Sequence, residues 1–360
     1  MDKRVIAIHL PQFYPFPEND EWWGKGFTEW RNVVVAKPRY KGHYEPHIPS
    51  DLGFYDLRLK ENRLEQQRLA KEYGIYGFCY YHYWFNGHLI MEKPVEAMLA
   101  NSEEDFPFML CWANENWHRN WEGGFNVALI KQEYSIEDDI AHFNYLLPYF
   151  RDKRYIRVDG KPVFCVYRTD LFPDFDKTVD VWQKEASKYG FQLYICRFEA
   201  GGAWGKEYMT RNVDAAVEFQ PINKEGFDRR DVLGKLCKKI LKKELTSAVF
   251  SYSAYVKFQL YKTTNISYKR YPSCCPQWDN SPRRVGRPFT GFKGSTPSLF
   301  KKWFFAVYNR FKPYSKDENF IFINAWNEWA EGCHLEPDLK FGRAYLEAVK
   351  EVVNKYEDYV

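Results

Sequence analysis

The chain has 360 residues and a formal net charge of +4, with 45% hydrophobic and 28% charged residues. This composition is that of a soluble globular protein with a sizeable core, and so small a charge gives no reason to expect a nucleic-acid partner. Aromatic residues make up 19% of the sequence. Many of them follow apolar runs where strands are expected to end, which favours a surface that stacks on a ligand.

Apolar and aromatic runs alternate with helical patterns along most of the chain. Eight strands are predicted, at Val5–Leu10, Gly74–Trp84, Phe108–Ala113, Val163–Tyr167, Leu193–Phe198, Ala215–Phe219, Tyr271–Trp278 and Phe320–Ala325. Helices are predicted at Leu57–Tyr73, Met91–Ala100, Ile136–Arg151, Thr178–Tyr189, Thr296–Phe311 and Gly342–Tyr356. This alternation predicts the α/β class, and eight strands with a closing helix favour a single (β/α)8 TIM barrel over residues 1–360. The first strand runs into HLPQFYP instead of a glycine-rich turn, which argues against a dinucleotide-binding fold.

One stretch, from about residue 228 to residue 270, departs from the alternation and predicts an inserted helical segment. Residues 235–243 within it are basic and amphipathic. Two interpretations are open for them. The first is the solvated face of a helical hairpin, and the second is a weak contact with an anionic membrane surface.

The cysteines and the N-terminus bear on the cellular location. Cys79, Cys111, Cys165 and Cys196 each lie in a predicted buried strand, so free thiols are expected in preference to disulfides. Reduced thiols, and an N-terminus that enters a strand without a secretory leader, predict a cytoplasmic protein. There is no Cys-x-x-Cys pair and no second histidine at metal-ligand spacing from His82. We therefore predict neither a metal site nor a cofactor.

The segment Asn324–Pro337, with the sequence NAWNEWAEGCHLEP, is the most informative in the chain. It follows the eighth predicted strand and places Glu328 and Glu331 beside tryptophans. One carboxyl group can protonate a leaving oxygen while the other acts as base or nucleophile, and indole rings offer flat faces to a pyranose. We predict that Glu328 and Glu331 are catalytic; the alternative is a solvated loop with two ordinary acids. The binding candidates in this segment are Asn324, Trp326, Asn327 and Trp329.

The other strand ends carry polar and aromatic residues suited to sugar hydroxyls and ring faces. The candidates are His9, Gln12, Tyr14 and Trp30 after strand one, His82, Tyr83 and Trp84 at strand two, Trp112, Asn114, Glu115 and Trp117 after strand three, and Trp278, Asp279 and Asn280 after strand seven. Satisfied core histidines and self-packed aromatic loops are the structural alternatives. Asn114 and Glu115 are similar to the Asn-Glu pair of retaining glycosidases, which usually follows strand four. Arg283 and Arg284 have two interpretations, namely binding an acidic sugar or phosphate and pairing with nearby acids.

Six motifs in this order resemble WbsX-type, glycoside hydrolase family 99-like proteins: HLPQFYP, GFTEW, GFCYYHYWF, CWANENW, PQWDNSPRR and NAWNEWAEGCHLEP. The resemblance implies a (β/α)8 barrel, and characterised family 99 enzymes are retaining endo-α-mannosidases. Their paired glutamates, in a motif close to NEWHEG, map onto Glu328 and Glu331, with Ala330 in place of the histidine. The resemblance implies that Glu328 is the base on the sugar 2-hydroxyl. It implies that Glu331 protonates the leaving oxygen and later activates water.

Three functions follow from these observations. The leading one is a retaining glycoside hydrolase, endo-α-mannosidase-like, acting on a glycan or polysaccharide. The first alternative is a glycosyltransferase of surface polysaccharide (O-antigen) biosynthesis, because WbsX-type chains occur among surface-polysaccharide assembly proteins. The second is a non-catalytic glycan-binding barrel, which aromatic strand ends alone would serve.

Overall fold

Eight parallel strands follow one another along the described chain and form a barrel. They are β1 (Arg4–His9), β2 (Gly77–Phe85), β3 (Phe108–Trp112), β4 (Lys161–Val166), β5 (Tyr194–Glu199), β6 (Ala215–Glu218), β7 (two pieces, Arg270–Tyr271 and Ser273–Cys274) and β8 (Phe320–Ile323). This computed structural model describes residues 2–118, 128–221, 247–262 and 266–357. The strands pair in chain order, and β8 returns to β1 with Val5 opposite Ile321. The predicted α/β barrel is confirmed.

The seventh strand is shorter than the predicted Tyr271–Trp278 and is divided at Pro272. Proline has no backbone N–H to donate, so a continuous ladder cannot run through it. The first piece of β7 pairs with β6 and the second pairs with β8, so this segment joins the two ends of the sheet. The chain then leaves the sheet at Pro276. As a result, Trp278 and Arg283 lie in the loop at the carboxyl ends of the strands.

Nine helices lie in the described residues. They are α1 (Pro17–Trp23), α2 (Trp30–Val35), α3 (Lys60–Glu72), α4 (Lys93–Ala100), α5 (Ile136–Arg151), α6 (Phe175–Ser187), α7 (Tyr252–Tyr261), α8 (Pro297–Arg310) and α9 (Ala344–Glu357). The hydroxyl oxygens of Ser135 and Thr296 accept backbone N–H bonds at the starts of α5 and α8, which fixes where these two helices begin. Both α1 and α2 lie in the connection after β1, where the sequence pattern predicted no helix.

Short strands decorate the loops. His88–Ile90 pairs with β2, Arg157–Val158 with β4, Trp117–His118 with Ala128–Ile130, Asn327–Glu328 with Cys333–His334, and Ala248–Ser251 with Thr290–Lys293. Short 3-10 helices lie at Thr169–Leu171, Lys206–Tyr208, Ser281–Arg283 and Trp329–Glu331. The described part of the inserted segment is therefore a strand followed by a helix, and not purely helical. The basic stretch 235–243 lies outside the described residues.

The barrel strands are buried along almost their whole length, as expected for parallel strands covered by helices. The cysteines of the described residues are Cys79, Cys111, Cys165, Cys196, Cys274, Cys275 and Cys333, and all of them are buried and free. The prediction of free thiols in the strands is confirmed. Among the described residues, none of the helices combines the length and apolar character that crossing a membrane requires.

Candidate active site

A cavity of about 550 Å³ opens at the carboxyl ends of the strands. Of the residues predicted to bind or react with a sugar, the structure brings seven into its lining: Gln12, Tyr83, Glu115, Trp117, Asn324, Glu328 and Glu331. The lining also contains Leu10, Tyr81, Ala113, Asn116, Tyr167, Arg168, Leu171, Phe219 and Arg283. A barrel places its active site at this end, so this cavity is the candidate site.

The loop after β8 folds into a tight hairpin that carries the acid pair. Asn327–Glu328 pairs with Cys333–His334, and a 3-10 turn at Trp329–Glu331 lies between them. Gly332 ends the turn with a φ of 54°, a left-handed conformation that favours glycine. A Cβ at this position would also approach Asp279 to 3.3 Å. We call residues 324–337 the catalytic loop, after the role predicted for Glu328 and Glu331.

Arg283 holds the acid pair together. Its Nη1 donates to Oε1 of Glu331 at 2.5 Å, and its Nη2 donates to Oε2 of Glu328 at 2.9 Å. A third carboxylate, Glu29, accepts from Nη2 at 2.7 Å and also from Nε. The side chain of Glu29 is fully buried, whereas that of Glu331 is 27% exposed. One guanidinium therefore serves three acids, and of these Glu331 is the one most open to solvent.

The environment of Glu328 changes its proton affinity. Burial raises the pKa of Glu328 to about 8; Arg283 opposes this shift, while the negative charges of Glu331 and Glu29 add to it. A carboxyl group whose pKa lies near neutral pH can exchange a proton during a reaction, which is the property required of a general base or acid.

Trp278 orients the second acid. Its indole Nε1 donates to Oε2 of Glu331 at 3.1 Å, so both carboxylate oxygens of Glu331 receive a hydrogen bond. Trp278 does not line the cavity; it is partly buried against the core. Trp278, predicted as a sugar platform, makes in this structure a contact that fixes the direction of Glu331.

Three polar atoms in the cavity wall are buried and have no hydrogen-bond partner among the described residues. They are Nε2 of Gln12, Oδ1 of Asn324 and Nε1 of the Trp117 indole. Buried polar groups are normally hydrogen-bonded, because leaving them unpaired costs about 1–3 kcal/mol each. Two unpaired donors and one unpaired acceptor on residues that line one cavity are suited to the hydroxyl groups of a sugar.

The end of β3 forms a second polar wall. Asn114 is fully buried; its Oδ1 accepts from the backbone N–H of Arg168 at 2.9 Å, and its Nδ2 donates to the Arg168 carbonyl at 2.8 Å. Arg168 in turn pairs with Glu115 and with Asp170. Asn114, predicted to contact the substrate, does not line the cavity in this structure and instead positions Arg168. Glu115 remains on the cavity.

The two catalytic-loop indoles, predicted to stack on a sugar, also lie outside the cavity lining. Trp326 and Trp329 are fully buried, so neither presents a face to the cavity. Trp329 Nε1 donates to Glu336 at 2.6 Å. Asn327 is equally enclosed and exchanges two hydrogen bonds with the backbone of Leu10. These side chains anchor the loop to the barrel.

The remaining candidates take structural contacts as well. Hydrogen bonds join His9 to Gln66 and His82 to His142. The indoles of Trp30, Trp84 and Trp112 donate to the Tyr55 carbonyl, to Asp138 and to the Trp84 carbonyl, respectively. Asp279 pairs with His43, and Asn280 accepts from Thr290. Tyr14 is fully buried. They were predicted as binding residues because they lie at or after strand ends, and none of them lines the cavity.

Arg283 and Glu29 set the charge around the acid pair, and the sequence pattern did not assign either of them to the site. The sequence signal for Arg283 was present, since pairing with acids was one of its two open interpretations. Nothing in the sequence placed Glu29 beside it, because 254 positions separate the two. Tyr81, Tyr167 and Arg168 were missed for the same reason, since neighbouring strand ends meet only in the barrel.

The sequence is similar to one protein family and to curated proteins from Xanthomonas campestris pv. campestris. The model of the family described as "Glycosyltransferase WbsX" matches residues 5–349. The protein WxcX of Xanthomonas campestris pv. campestris, described as uncharacterized in strains B100 and ATCC 33913, is 37% identical over 359 residues and covers 98% of this chain. The chain spans about half (50%) of the length of these curated relatives.

Solved structures with the same fold include glycoside hydrolases. A "Glycoside hydrolase-like protein" superposes with a TM-score of 0.60 at 14% identity, covering 98% of this chain and 94% of its own. The GH99 endo-alpha-mannosidase of Bacteroides thetaiotaomicron, in complex with Bis-Tris-propane, gives 0.60 at 14% identity, with 99% and 98% covered. A GH5_18 protein of Streptomyces cattleya, in complex with GlcNAc, gives 0.51 at 8% identity, with 100% and 82% covered. At these identities the likeness shows the fold.

Proposed function

Because the chain belongs to the WbsX glycosyltransferase family, we propose that it acts on a glycan and that Glu328 and Glu331 carry the reaction of a retaining glycoside hydrolase. The observation that carries this proposal is the shared contact of both carboxylates with Arg283 in the wall of one cavity. Two acids on one loop suit a reaction in which the substrate's own 2-hydroxyl is the nucleophile, because the enzyme then needs no separate nucleophile on the opposite strand.

In this proposal Glu328 is the base. Its ionised form takes the proton of the 2-hydroxyl, whose oxygen then attacks the anomeric carbon and displaces the leaving group. The raised pKa of Glu328 supports the assignment, since the ionised form is a stronger base than an ordinary carboxylate. Arg283 keeps a fraction of Glu328 ionised by supplying positive charge at 2.9 Å.

Glu331 is the acid in the first step and the base in the second. It protonates the departing oxygen, and it then takes a proton from the water that opens the anhydro sugar. Its 27% exposure supports this role, because the group must exchange protons with water between the two steps. Trp278 and Arg283 hold its two oxygens in one direction, which limits the motion that catalysis would otherwise have to restrict.

The experiment is a screen of the purified chain on bacterial surface polysaccharides, with the anomer of the first product read by NMR. We expect a product of retained configuration from a substrate with a free 2-hydroxyl, and no turnover of its 2-O-methyl analogue. An inverted product, or equal turnover of the methylated substrate, would exclude the 2-hydroxyl mechanism.

A glycosyltransferase of surface-polysaccharide biosynthesis is the second candidate, and the description of the matching family favours it. It predicts saturable binding of a sugar nucleotide and transfer to a glycan acceptor without release of free sugar. A non-catalytic glycan-binding barrel predicts binding with no turnover in any donor and acceptor combination. The same preparation distinguishes all three outcomes.

A further inference from the structure

Two histidines and an aspartate from distant parts of the chain meet beside the catalytic loop. His47 Nδ1 lies 2.8 Å from His334 Nε2, and His334 Nε2 lies 3.8 Å from Oδ2 of Asp338. The three residues are 4%, 0% and 1% exposed. They play no part in the proposed reaction, and His47 and His334 are 287 positions apart, so no sequence spacing indicated the cluster.

The proton on His334 can be placed from its second contact. Nδ1 of His334 lies 2.8 Å from the carbonyl oxygen of Glu336, which can only accept a hydrogen bond. Nδ1 therefore carries the proton, and Nε2 holds a lone pair. This lone pair faces His47 Nδ1 at 2.8 Å, the amide Nε2 of Gln277 at 3.3 Å and Asp338 at 3.8 Å. A histidine that donates from one ring nitrogen to a backbone carbonyl and keeps a lone pair on the other has the tautomer found in metal-ligating histidines.

Only one of the two carboxylate oxygens of Asp338 is hydrogen-bonded within the described residues. Its Oδ1 accepts the backbone N–H groups of Lys340 and Phe341 at 2.9 Å and 2.6 Å. Its Oδ2 is buried and has no hydrogen-bond partner among the described residues. The lone pair of His334 Nε2 and the unpaired carboxylate oxygen of Asp338 therefore lie 3.8 Å apart, and both would stabilise a positive charge placed beside them.

We propose that His47, His334 and Asp338 form a binding site for a divalent first-row transition-metal ion. The three ligand atoms all lie within 4.8 Å of one another, which suits metal–ligand distances of roughly 2.0–2.2 Å. Two imidazoles and one carboxylate are ligands for zinc, cobalt, iron or manganese, and not for calcium or magnesium, which prefer oxygen atoms alone. This proposal departs from the expectation from sequence that the chain holds no metal.

A second cluster, His43 with Glu45 and Asp279, has no histidine nitrogen that directs a lone pair at the other two residues. The backbone N–H of Arg39 donates to His43 Nδ1 at 2.9 Å, so that nitrogen holds the lone pair. Nε2 then carries the proton and donates to Asp279 at 2.8 Å. Nε2 of His43 thus carries a proton where Nε2 of His334 carries a lone pair, so His43 is a matched control for His334.

The proposed ion would clamp the catalytic loop to the segment before α3. The two segments already share backbone bonds, from Ser50 N–H to the Pro337 carbonyl at 3.0 Å and from Leu339 N–H to the Ile48 carbonyl at 2.9 Å. The His334 ring stacks on the indole of Trp329, which lies between the paired glutamates in sequence, at 3.8 Å and 15°. The site is therefore structural, and its expected effect is to stiffen the loop.

The test is cobalt and zinc binding by the purified full chain after chelation. We expect one Co²⁺ per chain, with visible d–d absorption bands of a nitrogen-ligated ion that Zn²⁺ abolishes, and a higher unfolding temperature with Zn²⁺. His334→Gln and Asp338→Asn should each weaken Co²⁺ binding by roughly 100-fold, as loss of metal-site groups does. His43→Gln should bind Co²⁺ as the unmodified chain does.

Two results would overturn the site. One is a wild-type chain that binds no Co²⁺ and gains no thermal stability from Zn²⁺. It would mean that His47 donates directly to His334. It would also mean that the Tyr44 hydroxyl, which is likewise buried and unpaired, reorients toward Asp338. The other is Co²⁺ binding by His334→Gln equal to that of the unmodified chain. A variant that fails to fold leaves the wild-type titration as the decisive measurement.

Discussion

The guanidinium of Arg283 donates to Glu331 at 2.5 Å across 48 positions of sequence. The same group contacts Glu328 and Glu29, so the acids of the catalytic loop are held by a residue from the loop after β7. A buried carboxylate without a counter-charge is costly, and three near one another are more so. This cation therefore permits the acid pair to exist at the bottom of the cavity.

Glu331→Gln should abolish turnover of a good glycan substrate while binding survives. The amide keeps the shape of the side chain but cannot donate or accept the catalytic proton, and we expect kcat to fall by roughly 100-fold or more. Glu115→Gln is the matched control, because it changes another acid of the same cavity that is paired with Arg168. Unchanged kcat in Glu331→Gln would remove this residue from the proposed reaction.

Arg283→Met should destabilise the fold and inactivate the site together. Removing one partner of a buried ion cluster costs about 3–5 kcal/mol, and Arg283 is only 15% exposed. The free energy of unfolding from denaturant titration measures this. Arg283→Lys keeps the charge and should recover part of the stability, whereas Arg284→Met should cost little. Equal stability of Arg283→Met and the unmodified chain would contradict the role of Arg283 as the shared counter-charge.

The acid limb of the pH profile should report Glu328. Its raised pKa of about 8 means that the proposed base is mostly protonated at neutral pH and gains activity as pH rises through that value. Glu29→Gln removes a negative charge that raises this pKa, so the limb of kcat/KM should move to lower pH by roughly one unit. Glu103→Gln, on the exposed surface, is the control. A limb that stays in place or moves upward would rule out Glu328 as the titrating base.

Trp117→Ala should weaken substrate binding more than it slows the reaction. Among the predicted indoles, Trp117 lines the cavity, and its Nε1 is unpaired there. Loss of an aromatic contact of about 1.4 kcal/mol corresponds to a tenfold rise in KM. Trp204→Ala, at a residue 40% exposed elsewhere, should leave KM unchanged. A large fall in kcat at constant KM would argue against Trp117 as a binding platform.

Trp329→Phe should act on stability and leave KM nearly unchanged. The substitution removes the hydrogen bond to buried Glu336, which keeps its bonds from Tyr55 and Gln66, so we expect a loss of about 1–3 kcal/mol. Thermal unfolding measures the loss, with Trp204→Phe as the control. If Trp329 stacked on a sugar instead, KM would rise while the unfolding temperature stayed constant.

Much of the fold could be predicted from the sequence, because barrel strands are recognisable as apolar runs between helical patterns. The strand from Phe320 and the long helix from Ile136 were located within a few residues. The seventh strand was harder, since Pro272 interrupts its ladder. The helices α1 and α2 were missed because their residues show no long apolar periodicity.

The candidate site was likewise predictable from the sequence in part only. Alternation and motif order determined the barrel, and with it the end at which Glu328 and Glu331 lie. Which side chains face the cavity was decided only by the tertiary structure. Trp326 and Trp329 look like a sugar platform in sequence, but the hairpin of the catalytic loop turns both indoles into the core. Glu29 lies in the motif GFTEW and Arg283 in PQWDNSPRR, and only loop packing brings these two residues together. Local patterns set secondary structure, whereas pairing and burial depend on contacts between distant segments.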